Sequence, residues 1–258
     1  MDKLKAKLWS LKKILAYSLF GFGAIIIGII ILPLERLFIH PLTAFKRAGR
    51  RTISVSTRLF VRVLTLWHVL VIEKPLPSFE DLSGKIVAPN HPSLFDVVVL
   101  FSLIDGANCI VKGKLTHSIF GAVVSPLYIN NSEDFDSLLE ECKLSLDKGE
   151  TLIIFPEGTR TREGEPVNVK RGTAYISLFA DAPIVPFIIG GNDKKGMMKH
   201  DKIWTVNDDG YYTYTLERLP EIDPSGFALP DARRAAINLT KHLQGIYRAH
   251  DSRALEDK

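Results

Sequence analysis

Residues 85–96 read Lys85-Ile86-Val87-Ala88-Pro89-Asn90-His91-Pro92-Ser93-Leu94-Phe95-Asp96. The run Lys85–Pro89 is apolar after its first residue, which predicts a short buried strand. Pro92 disfavours helical geometry at His91 and itself suits a first helical position. The chain therefore turns from strand to helix at His91, the step from which layered α/β folds are built. Asp96 lies just beyond one helical turn from His91. Its carboxylate can reach back to one imidazole nitrogen while the other faces a cleft. A base oriented by a carboxylate is the arrangement that activates a hydroxyl.

A second site follows the same logic. Thr151-Leu152-Ile153-Ile154-Phe155 reads as a buried strand and runs into Pro156-Glu157-Gly158-Thr159-Arg160. Gly158 allows a turn that other residues resist. Arg160 offers a planar fork of donors suited to phosphate or carboxylate. Lys170-Arg171-Gly172 opens a predicted helix, and cations near a helix start suit an anionic ligand. Glu157 is expected to organise the site or bind an acceptor, and Arg162 to be exposed.

Around these sites, short apolar runs alternate with helical periods. Candidate strands are Ile86–Ala88, Cys109–Val111, Pro126–Ile129, Leu152–Phe155 and Ile184–Ile189, with a late strand in Tyr211–Leu216. Candidate helices are Leu94–Leu103, Ser118–Val123, Asp134–Leu146, Gly172–Phe179 and Asp231–Tyr247. The expected fold class is α/β, a mixed, largely parallel sheet flanked by helices. Ligands of such sheets bind at the carboxyl ends of strands, where both sites fall.

The chain has 258 residues, 46% hydrophobic and 24% charged. That accommodates one sizeable domain plus an appendage. The net charge of +4 is too small to imply nucleic acid. The aromatic run Tyr211–Leu216 lacks the basic interleaving that a nucleic-acid ladder would show. Cys109 and Cys142 belong to no CxxC or Cys/His cluster, so reduced core thiols are expected and no metal site.

From Ile14 to Leu34 no residue is charged, about the ~20 residues that a bilayer-spanning helix needs. Basic residues flank the run on both sides, so charge alone leaves the orientation open. Arg47, Arg51, Arg58 and Arg62 fall on one helical stripe, with Trp67 suited to an interface, which predicts an amphipathic helix on anionic lipid. The expected division is a membrane module in 1–72, a Pro- and Ser-bearing linker in 73–84, and a catalytic domain in 85–258.

The motifs make the chain resemble a known family. NHPSLFD at Asn90–Asp96 looks like the first block of the glycerolipid acyltransferases, NHxSxxD. FPEGTR at Phe155–Arg160 looks like the third block, Ile184-Val185-Pro186-Phe187 resembles the fourth, and Val124–Asn131 sits where the second belongs. The resemblance covers roughly Lys85 to Gly191. It implies transfer of a fatty acyl group from acyl-CoA or acyl-carrier protein to the hydroxyl of a lysophospholipid such as 1-acylglycerol-3-phosphate. No other cofactor is implied. It further implies His91 and Asp96 as catalytic residues, with Asn90, Glu157, Gly158, Thr159, Arg160, Lys170 and Arg171 around the substrate. The implied location is the inner membrane with the catalytic domain facing the cytoplasm, where acyl thioesters are made.

On this reading neutral His91 deprotonates the acceptor, no acyl-enzyme forms on Ser93, and amides near the helix start stabilise the oxyanion. Two departures from the family pattern stand out. Asn130 and Asn131 follow Tyr128-Ile129 where phosphate-acceptor members carry arginine, and Gly190-Gly191 replace a proline. The first points to an alternative acceptor without phosphate, or a specialised alcohol. A thioesterase or lipid hydrolase using the same pair on water is the remaining alternative.

Overall fold

The computed structural model describes residues 3–111, 125–131, 134–160, 167–198, 201–202 and 205–250. The strand read before His91 is β2, Ile86–Pro89, and it lies at the centre of a seven-stranded sheet. The others are β1 (Leu70–Ile72), β3 (Asn108–Val111), β4 (Ile129–Asn130), β5 (Leu152–Ile153), β6 (Ile184–Gly190) and β7 (Tyr212–Arg218). Their order is β1-β7-β6-β2-β5-β3-β4, and only the β6–β7 pair is antiparallel. Ile86 pairs with Leu152 on one side and Ile184 on the other. Both sequence motifs therefore leave neighbouring parallel strands at the same edge of the sheet.

Helices cover both faces. On one lie α1 (Lys3–Ile26), α2 (Leu32–Phe38), α3 (Leu42–Leu66) and α4 (Asp96–Leu103). On the other lie α5 (Phe135–Asp147), α6 (Gly172–Ala180) and α7 (Ala232–Ala249). Strand residues alternate between the two layers, as the pleat requires. Val87, Ile153 and Val185 join the first core, and Ile86, Leu152 and Ile184 the second. Burial on both faces explains why these strands read as unbroken apolar runs.

The boundaries differ from expectation where side chains compete with the backbone. Asp134 and Asp231 are not helical; each caps its helix by accepting two backbone N–H bonds. Ser125–Leu127 forms a 3-10 turn where a strand was expected. Pro126 cannot donate to a ladder, so β4 begins after it. The predicted helix Ser118–Val123 lies outside the described residues, as do Val124 of the second block and Arg162. The segment read as a linker packs on the sheet: Phe79 stacks on Phe187 at 5.5 Å, and Arg218 donates to the carbonyls of Ser78 and Glu80.

The amino-terminal helix runs through a widened turn, Ile27–Ile31, into α2, where Pro33 withdraws a donor. Leu4–Phe38 is long and apolar enough to cross a membrane. One stripe, Ala16, Ala24 and Leu32, is buried, while Phe22, Ile25, Ile29 and Ile30 are exposed. Three arginines of the α3 stripe have carboxylates nearby: Arg47 lies 3.9 Å from Glu150, and Arg51 and Arg58 lie 3.7 and 3.8 Å from Asp105. All three stay substantially exposed. Arg50 is buried and binds Glu150 and the carbonyls of Leu127 and Gly106.

Candidate active site

His91 leaves β2 with its ring stacked on Phe155 of the neighbouring motif, centroids 4.1 Å apart. Its Nδ1 lies 2.8 Å from Asp96 Oδ2. Asp96 is fully buried and His91 is 16% exposed, so the carboxylate is sealed while the ring keeps an opening. Placing the Nδ1 proton toward Asp96 leaves Nε2 as the acceptor, the tautomer a general base requires.

Asp96 also sets where the helix begins. Its Oδ2 accepts the Ser93 backbone N–H at 2.6 Å, and its Oδ1 accepts the Ser93 hydroxyl. Folding back over Ser93-Leu94-Phe95 makes a tight turn, so α4 starts at Asp96 rather than at Leu94 as the periodicity predicts. Ser93 is enclosed between Asp96 and Tyr214, whose hydroxyl is 2.6 Å away. A carboxylate only accepts, so Ser93 donates to Asp96 and Tyr214 donates to Ser93. Burial, then the charge of Asp96, pushes the Tyr214 phenol well above its ordinary value, which keeps that proton in place.

Glu157 joins the two motifs. It is buried, and its Oε1 accepts the His91 backbone N–H at 2.8 Å. Gly158 turns the chain at φ +64, with its N–H on the Phe155 carbonyl. A side chain there would meet Lys170 Nζ at 3.4 Å. Lys170 and Arg171 are exposed, with Arg171 at the start of α6. Thr159 and Arg160 are half-buried. Arg160 Nη1 donates to the carbonyls of Met197 and Met198 at 3.0 and 3.3 Å. Asn90 uses its side chain as a ladder rung, donating to the Ile189 carbonyl and accepting the Ile189 N–H.

The amides of the turn that precedes α4 are already committed. The amides of His91, Ser93 and Leu94 are engaged by Glu157, Asp96 and the Met197 carbonyl. Pro92 has none.

Four contributors were not read from sequence. Tyr214 was seen only as strand, Met197 and Met198 act through carbonyls, and Lys194 carried no motif. Lys194 is buried, donates to the carbonyls of Gly190, Asn192 and Thr213, and sits 4.7 Å over the Tyr214 ring. Burial lowers it to about 8, against the pull of Asp96, Asp193 and Glu73.

Comparison with known proteins meets the same region. Residues 73–190 match the acyltransferase family model. Over 114 residues the chain is 32% identical to a 1-acyl-sn-glycerol-3-phosphate acyltransferase of Cocos nucifera, covering 40% of this chain and 36% of that one. It is 31% identical over 117 residues to the protein of the same name in Helicobacter pylori, covering 42% and 49%. With those two relatives the chain thus shares between a third and a half of their length. The human beta form is 25% identical over 207 residues, 74% of this chain and 70% of that one. The fold matches the crystal structure of the 1-acyl-sn-glycerophosphate acyltransferase PlsC of Thermotoga maritima, with TM-score 0.64, 20% identity and coverage of 96% and 98%. Motif order, the acyltransferase match over residues 73–190 and the fold agree in making the chain similar to the glycerolipid acyltransferases.

Proposed function

We propose that the protein is a membrane-bound O-acyltransferase that moves a fatty acyl group from a thioester to the hydroxyl of a lysophospholipid such as 1-acylglycerol-3-phosphate. The observation that carries this reading is the His91–Asp96 bond at the carboxyl end of β2, beside the Arg160 loop that follows β5. Nε2 of His91 takes the acceptor proton, and Asp96 holds the ring and stabilises the imidazolium. The acceptor oxygen attacks the thioester carbonyl directly. Collapse of the adduct expels the thiolate, which recovers the proton from Nε2. The enclosure of Ser93 supports a route without an acyl-enzyme, because its hydroxyl is committed to Asp96. Arg160, fixed at one nitrogen by two carbonyls, presents its fork to the acceptor phosphate. Lys170 and Arg171 add positive charge at the rim.

The exposed apolar residues of α1, with a polar domain packed on the opposite stripe, support insertion into one leaflet with the site at the lipid surface. A cytoplasmic domain would meet acyl-CoA or acyl-carrier protein there. Asn131 in place of arginine favours the second reading, an acceptor without phosphate. The test is product analysis by mass. Membranes bearing the protein receive acyl-CoA or acyl-carrier protein, with 1-acylglycerol-3-phosphate, with a phosphate-free lysolipid, or alone. Diacylglycerol phosphate is the expected product. Acylation confined to the phosphate-free lysolipid supports the second reading, and free fatty acid in every arm identifies a hydrolase.

A further inference from the structure

Lys13 is the anomaly of the amino-terminal helix. It stands at the edge of the uncharged run. It is 2% exposed and points into the domain. Its ammonium donates to the carbonyls of Gly196 (3.0 Å) and Thr205. Burying an ammonium where an apolar side chain would serve seldom adds stability, so its purpose lies in what it holds.

What it holds is the connector between β6 and β7, which is shaped to receive the helix. Gly196 adopts φ +82, and a Cβ there would stand 2.2 Å from Lys13 Nζ. One helical turn earlier, Trp9 fills the space beside Gly210, where a Cβ would lie 2.1 Å from its indole nitrogen. One turn later, Tyr17 packs on Phe95 of the catalytic turn, centroids 5.5 Å apart. The next carbonyl after Gly196 is that of Met197. It accepts the Leu94 N–H and Arg160 Nη1, both at 3.0 Å. Asp201 braces the same ledge from below, accepting the N–H groups of Gly196 and Met198.

We infer that Lys13 is a positioning residue for the acceptor site: it pins the Gly196–Met198 ledge, and through that ledge it aims Arg160. The membrane helix is then a part of the active site as well as an anchor. The inference rests on the reading of Arg160 as the phosphate-binding group.

The test compares Lys13→Met and Arg160→Ala, singly and together, in lipid vesicles. Lys13→Met is expected to raise KM for 1-acylglycerol-3-phosphate about tenfold, with KM for the thioester and kcat nearly unchanged. Added to Arg160→Ala it is expected to change nothing further, because the group it aims is gone. Effects that multiply, or a fall in kcat alone, overturn the inference. Asp201→Ala removes the acceptor that braces the same ledge from outside the apolar helix and is expected to reproduce the selective KM rise, should Lys13→Met not fold. Hydrogen exchange at Leu94 gives a readout that needs no substrate. It is expected to quicken in Lys13→Met even if the wild type transfers no acyl group, and unchanged exchange overturns the inference independently.

Discussion

Asp96 is fully buried, and three donors converge on it: the His91 ring, the Ser93 amide and the Ser93 hydroxyl. Such a carboxylate is stable only when so surrounded. Half of this arrangement was legible in the sequence. Pro92 and the five-residue spacing place ring and carboxylate together, and Glu157 and Arg160 follow from the strand end. Tyr214 and Lys194 were not legible, because they reach Asp96 from strands and loops about a hundred residues downstream that no local spacing encodes. Lys194 makes a testable case. An unfolded lysine titrates near 10.5, and burial lowers this one to about 8. Between those values the unfolded chain binds more protons than the folded one, so the contribution of Lys194 to stability rises with pH. The wild-type denaturation midpoint is expected to gain on that of Lys194→Met between about pH 8 and about pH 10. A constant difference between the two contradicts the assignment.

Strands and helices were read more reliably than their ends. Apolar runs located β2, β5 and β6, because burial on both faces leaves little freedom in composition. The ends moved where a side chain took over a backbone bond, as at Asp96, Asp134 and Asp231. Gly190-Gly191 shows that a departure from a family pattern can have a plain mechanical cause. At Gly191 φ is +107, and a Cβ would lie 2.0 Å from the Thr213 carbonyl oxygen of β7. A Cβ on Gly190 would lie 2.7 Å from Thr215 Oγ1. The close antiparallel exit of β6 beside β7 therefore requires glycine. Gly191→Ala is expected to cost roughly 3 kcal/mol, seen as a lowered melting temperature and poor recovery of folded protein. A melting temperature equal to that of the wild type refutes this account of the exit.

At the scale of the molecule, one sheet places two motifs side by side, and the apolar amino-terminal helix packs beside them, Tyr17 on Phe95. The sheet order was not legible, since β1 and β7 join across most of the chain length. The carboxylates near the arginine stripe were not legible for the same reason: Asp105 and Glu150 lie far along the sequence. The apolar run of α1 was legible, but not which stripe packs on the domain. If the outward face enters the bilayer, Ile29→Lys is expected to weaken vesicle binding about a hundredfold in flotation. Unaltered flotation means that this face does not enter lipid.

The proton-abstracting role proposed for His91 draws on every scale, from the buried Asp96 carboxylate to the shared edge of the sheet. Acyl transfer to 1-acylglycerol-3-phosphate by His91→Ala, in protein shown to be folded by its circular dichroism, tests it most directly. The expected rate lies ~10²–10⁴ below that of the wild type. A variant that transfers acyl groups at the wild-type rate contradicts it.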